Sequence, residues 1–208
     1  MGFVSILSQK SDKIVIFPRN KPFGTLFVID KSEYNYLKER RITMNFNNFT
    51  IKAQEAVQEA VNLTQAHNGQ VIEPIHLLQA VMKVGENVTK FIFQKLGVNG
   101  QQIVNVVARQ IESLPKVSGG NPYLSRESND VLQKAVQYSK EMGDEFVSIE
   151  PIILALLVVK STASSILKDA GVSEKELREA INELRKGERV TSQSSEDTYQ
   201  SLEKYAIN

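Results

Sequence analysis

The sequence predicts an all-α domain built from two similar halves related by an approximate two-fold axis. Matched blocks recur at nearly constant spacing, each block has the period of a helix, and capping residues stand at corresponding places in both copies. Gln58, Ala60 and Val61 return as Gln133, Ala135 and Val136. Glu73-Pro74-Ile75 with Leu77 returns as Glu150-Pro151-Ile152 with Leu154, and Ile92, Gly97 and Val98 return as Ile166, Gly171 and Val172. The spacings are 75, 77 and 74 residues. A drift of this size suits loop-length changes between equivalent helices, because loops tolerate insertions and helices do not. Two copies are too few for a solenoid and suit half-domains that cover each other's apolar faces.

Residues 1–43 stand outside the duplication. They contain β-prone runs from Ile14 to Phe17 and from Thr25 to Ile29, split by Pro18, Pro22 and Gly24. Two readings stay open: a start assigned upstream of a true first residue at Met44, or a real accessory hairpin. The duplicated domain spans 44–186, with its first repeat at 49–113 and its second at 124–186.

Each repeat opens on a hydroxyl residue able to cap a helix, Thr50 and Ser125. Behind them Ala53, Ala56, Val57, Ala60 and Val61 fall at helical spacing, as do Ser128, Val131, Leu132, Ala135 and Val136. The Glu-Pro helices follow, over 73–83 and 150–160, with proline in the first turn where its missing N–H costs nothing. Residues 152–159, IILALLVV, are apolar all round and predict the buried centre of the second half. Eight apolar residues fall far short of the roughly 20 needed to span a bilayer. Gly97 and Gly171 suit left-handed helix stops. Asn99 with Gln102, and Ser173 with Glu176, then open closing helices whose apolar faces are Ile103, Val106, Val107 and Ile111, and Leu177, Ala180, Ile181 and Leu184. Residues 187–208 read as a linker: 187–198 are polar, without apolar period and expected to be mobile, and Tyr199 to Ile207 form a short segment able to become helical.

Composition narrows the function. With 208 residues, 41% of them hydrophobic, the chain can bury a substantial core, and a net charge of +1 predicts neither a nucleic-acid nor an anionic-membrane surface. Residues 1–43 carry eight Lys/Arg against four Asp/Glu, while the remainder is net acidic. The absence of cysteine removes disulfides and thiol catalysis and is compatible with the cytoplasm. The apolar run at 2–7 is too short for a signal peptide.

Catalytic patterns are lacking. No G-x-x-x-x-G-K-[ST] phosphate loop and no G-x-S-x-G elbow occurs. Glu73 and His76 have the i, i+3 spacing of a helical metal pair, but the second copy has Ile153 in place of histidine, so a structural role is expected for His76 and a helix-end role for His67. Neither an enzyme nor a bound cofactor or metal is expected of this chain.

Four stretches carry a family resemblance: IEPIHLL at 72–78, GDEFVSIE at 143–150, ILKDAGV at 166–172 and GERVTSQSSEDTYQSLEKYAIN from Gly187. Together they resemble the N-terminal repeat domain of the Clp/Hsp100 chaperones, on the ClpB-type, protein-disaggregating branch. The resemblance covers 44–208. It implies about eight helices, a flexible tether to AAA+ modules that bind ATP and assemble as a hexamer, and a role in recognising exposed apolar segments of unfolded or aggregated clients. Adaptor docking for a Clp protease ATPase, or a free-standing helical scaffold, are the alternatives. The substrate positions it implies are Thr50, Asp144 and Glu150, with Tyr138 and Phe146 as aromatic contributors. Each has a competing structural role: Thr50 as a cap, Asp144 in the turn after Gly143, Glu150 at a helix N-terminus, and the two aromatics in the core.

Overall fold

A computed structural model describes residues 4–7, 13–17, 27–30, 46–117 and 121–195. The chain divides into two units, Met1–Asn45 and Phe46–Asn208. In the first, strands β1 (Val4–Leu7), β2 (Lys13–Phe17) and β3 (Phe27–Asp30) form an antiparallel sheet in that order, with Val4 opposite Phe17 and Lys13 opposite Asp30. Two of these strands fall on the β-prone runs. The third, β1, comes from the apolar run at 2–7.

The second unit holds eight helices among the described residues: α1 (Ile51–Ala66), α2 (Pro74–Val84), α3 (Glu86–Lys95), α4 (Gly100–Glu112), α5 (Arg126–Glu141), α6 (Ile149–Val158), α7 (Thr162–Asp169) and α8 (Glu174–Arg185). The caps stand where the sequence puts them. Thr50 Oγ1 accepts from Ala53 N–H at 3.1 Å, and Ser125 Oγ from Ser128 N–H at 3.0 Å. Gly97 and Gly171 take the left-handed conformation at φ 66° and 91° after α3 and α7, and Asn99 and Ser173 cap α4 and α8.

The Glu-Pro repeats are out of step with their helices. Glu73 is the N-cap of α2, with Pro74 at its first position, whereas α6 starts two residues earlier relative to its motif, so that Glu150 and Pro151 lie inside its first turn and Ser148 precedes it. This explains why the Glu-Pro spacing is 77 while the caps Thr50 and Ser125 are 75 apart. The consequence for Glu150 is burial, since a side chain within the first turn of the most apolar helix cannot reach solvent as an N-cap can.

Two short parallel pairings join the halves reciprocally. Strand β4 (Val71–Ile72), before α2, pairs with β5 (Tyr123–Leu124), before α5. Phe49, before α1, pairs with Val147, before α6. The start of each repeat's first helix is therefore fixed to the start of the other repeat's second. Helices α2 and α6 pack on each other between these pairings. Ile149 through Leu157 of α6 are all buried, with Ile75, Leu77, Leu78 and Val81 of α2 also inside. Each such large side chain stabilises the fold by roughly 1.5–3 kcal/mol.

The polar run after Gly187 departs from expectation over its described part. Expected to be mobile, residues 187–195 are hydrogen bonded to the domain as far as Gln193, with Val190 buried at 1% exposure, and residues 196–198 lie outside the described residues. A single apolar residue with main-chain partners anchors a segment in which hydropathy shows no period. The expected helical segment from Tyr199 to Ile207 lies outside the described residues.

Candidate functional site

Three segments meet beside the Phe49–Val147 pairing: residues 46–51, residues 143–150 and residues 187–193. Thr50 is fully buried, its N–H donating to Val147 O at 2.9 Å and its hydroxyl capping α1. Gly143, at φ 75°, turns the chain out of α5, and Asp144 N–H donates to Ser139 O. The carboxylate of Asp144 is directed inward rather than into solvent.

What receives it is Arg185, in the last turn of α8. The guanidinium donates from Nη1 to Asp144 Oδ2 at 2.7 Å, from Nε to Glu150 Oε1 at 3.0 Å and from Nη2 to Ser148 Oγ at 2.9 Å. The Asp144 and Glu150 side chains are 0% exposed and that of Arg185 is 5% exposed. Burial alone would lower the Arg185 pKa, but Glu150 and then Asp144 raise it above its ordinary value. The second Asp144 oxygen, Oδ1, accepts from Val190 N–H at 3.0 Å. One arginine thus joins the turn before α6, the first turn of α6 and the end of α8, while Asp144 adds the segment that follows α8.

The structure brings four of the five expected residues to this junction and gives three of them interior roles. Thr50, Asp144 and Glu150 are spent on a cap and an ion cluster, and their side-chain polar groups are closed to solvent. As the junction is packed, none of the three presents a side-chain polar group to an incoming chain. Phe146 is half-buried and remains accessible. Tyr138 is elsewhere, on α5, its ring 3% exposed between Lys134 Nζ at 4.8 Å and the Arg178 guanidinium at 4.7 Å. Burial first, then Glu174, raises its phenol above the ordinary value of 10.

Two residues escaped the sequence reading. Ile51 is 47% exposed at the start of α1, and its off-phase position relative to the Ala53, Ala56 and Ala60 face was the available signal. Arg185 falls four residues after Ile181 on the apolar stripe of α8, where a charged residue signals a buried partner.

A second feature is an open groove of about 660 Å3 between α2, α3 and α4, with Met82, Phe93, Val98 and Val104 among its walls and Lys83 and Lys90 at its rim. His76 Nδ1 accepts from Glu73 N–H at 3.0 Å and so closes the start of α2. No grouping of three or more potential metal ligands exists among the described residues.

The Clp repeat (R) N-terminal domain family matches residues 48–170, well over half of the chain. The chain belongs to this family. Over 165 residues, 79% of its length, the chain is 81% identical to chaperone protein ClpB of Bacteroides thetaiotaomicron and 56% identical to that of Porphyromonas gingivalis. It spans 19% of the length of each of these curated relatives. The Hsp104 N-terminal domain of Candida albicans has the same fold, with a TM-score of 0.65 at 22% identity, covering 72% of this chain and 99% of that one. A ClpV N-domain solved in complex with a VipB peptide aligns at a TM-score of 0.54 and 17% identity, covering 66% of this chain and 86% of that one.

Proposed function

We propose that this Clp domain recognises exposed apolar segments of unfolded or aggregated proteins on behalf of a ClpB-type disaggregating chaperone. The observation that carries the reading is the placement of Ile51 and Phe146. Ile51 is one of three exposed large apolar residues among those described, with Val117 and Tyr123, and it and the half-buried Phe146 flank the junction at which the family resemblance puts substrate contact. In this reading Thr50, Asp144 and Glu150 frame the surface from within, Phe146 and Ile51 touch the client, and Tyr138 belongs to the core. The high identity to proteins named ClpB supports the disaggregase branch, and the peptide complex of the ClpV neighbour supports use of the fold for binding protein segments.

The domain itself performs no chemistry here. ATP hydrolysis would belong to AAA+ modules, six of which in a cytoplasmic ring would multiply a weak single-domain affinity by avidity. Affinity per domain is weak because a small surface that orders a flexible client loses much of its contact energy to that ordering.

Binding of reduced, carboxymethylated lactalbumin, a permanently unfolded protein, tests the proposal. The parent chain binds it weakly, and Ile51→Lys reduces binding at least several-fold with an unchanged melting curve. Parent binding that Ile51→Lys leaves intact would move the client surface elsewhere. Capture of one folded partner with no affinity for unfolded protein would favour adaptor docking instead.

A further inference from the structure

The segment after α8 is held at the junction in the way that a peptide ligand is held. Glu145 N–H and Phe146 N–H both donate to Val190 O, at 2.9 and 3.3 Å, and Val190 N–H donates to Asp144 Oδ1 at 3.0 Å. Further along, Ile51 N–H donates to Gln193 O at 2.9 Å, and Gln193 Nε2 donates to Asn47 O at 3.0 Å. Of the side chains from Glu188 to Ser194, that of Val190 alone is buried. Arg189 lies over the turn instead, its guanidinium carbon 3.3 Å from where a Cβ on Gly143 would stand. Recognition thus consists mainly of main-chain hydrogen bonds and one small buried β-branched side chain, with the side chains of Asp144 and Gln193 adding one bond each. Such a site reads an extended backbone and tolerates almost any sequence around one apolar residue.

We infer that residues 187–193 act as an internal stand-in for a client, and that the junction is a receptor for an extended segment carrying a valine-like side chain, which a client enters by displacing this strap. The inference rests on the client-binding reading above and names the chemistry of that site. It also accounts for the inward-facing Asp144: with the strap in place Oδ1 holds the strap's own amide, and with the strap displaced it receives a client amide. The amides of Glu145, Phe146 and Ile51, freed at the same time, donate to client carbonyls. The apparent affinity for a client is then the intrinsic affinity reduced by the fraction of molecules whose strap is open.

Val190→Asp puts a charge into the hollow beside Asp144 and releases the strap. A fluorescent peptide of residues 187–195, GERVTSQSS, should bind the Val190→Asp chain and not the parent. The same peptide with aspartate in place of its valine should bind neither. Carboxymethylated lactalbumin should bind the Val190→Asp chain roughly tenfold more tightly than the parent, the factor expected when one buried valine no longer holds the strap closed. Circular dichroism and melting establish that the variant is folded. If it is not, Val190→Gly, which empties the hollow without adding charge, takes its place with the same two readouts. Failure of the natural peptide to bind the released chain overturns the inference, because the strap is then part of the fold and not a ligand of it. Peptide binding with equal lactalbumin affinity for parent and variant also overturns it, since the strap would not stand in the client's way. Peptide binding with no lactalbumin binding to either chain upholds the receptor site and sinks the client reading alone.

Discussion

Arg185 and Glu150 meet 35 residues apart in sequence, Nε to Oε1 at 3.0 Å, with the carboxylate wholly shut away from solvent. A pair this enclosed repays its desolvation only while every member is present, so the cluster acts as an all-or-none lock among the turn before α6, α6 and α8.

Arg185→Met strands two carboxylates inside the fold. Equilibrium urea unfolding should show a loss of about 3–5 kcal/mol with little change in slope. Asp144→Ala should also be costly, although its position in a turn suggested a mild surface change. A loss below about 1 kcal/mol for Arg185→Met, the range of exposed pairs, would show that water reaches the cluster.

Stability should depend on pH through His76. Burial, with His67 adding to it, lowers the His76 pKa from 6.5 to about 4. The folded protein therefore keeps this ring neutral where the unfolded chain has already taken a proton, so stability falls as the pH drops from about 6.5 towards 4 and is insensitive to this group above 7. The full effect reaches about 3 kcal/mol. Glu73, raised above its ordinary 4.5 by burial and then by Glu127, opposes it near the acid end of that range. His76→Gln keeps an acceptor for Glu73 N–H without titrating, and its stability profile should flatten between pH 4 and 6.5. An unaltered slope would assign the dependence to other groups.

The glycines separate backbone strain from packing. At Gly171 an added Cβ meets nothing within 4 Å, but φ is 91°, so Gly171→Ala should cost roughly 1 kcal/mol through conformation alone. Gly85 has an ordinary φ of −93°, yet a Cβ there would lie 2.8 Å from Ile149 Cγ2 and 2.9 Å from Val81 O. Gly85→Ala should cost more, about 1–3 kcal/mol, by forcing the two central helices apart. The reverse order in thermal unfolding would mean that α2 and α6 are loosely fitted at this point.

Hydrogen exchange should group the amides of Ile51, Glu145, Phe146 and Val190. All four are bonded to or from the strap, so their protection should rise and fall together, at an opening free energy below that of the α6 core. Independent exchange of Ile51 and Val190 would show that the strap lifts piecemeal.

The legible part of this fold was the part written in period and punctuation. Thr50, Ser125, Gly97 and Gly171 each mark a helix end by a local physical requirement, and local requirements survive in sequence. The phase of Glu150 was not legible in the same way. Its likeness to Glu73 is real as a string of residues, but helix α6 begins two residues earlier than the match implies, just after the Phe49–Val147 pairing across the molecule. The strap was missed for a similar reason. Val190 is one apolar residue in a polar run, and what holds it is main chain, which any sequence supplies. The burial of Asp144 was not legible either, since it shows only once Arg185 is placed against it.

The bond between Asn47 and Gln193 has a consequence for how the domain is built into larger chains. Its two outlets lie side by side, so the whole bundle can be spliced into, or lost from, a host polypeptide without prying apart the residues on either side of the splice. The reciprocal strand pairing adds the converse: severed in the connector at 113–122, the halves should refold only as complementing fragments, and joining residue 193 to residue 47 through a short bridge should yield a circular permutant whose new ends fall in that connector.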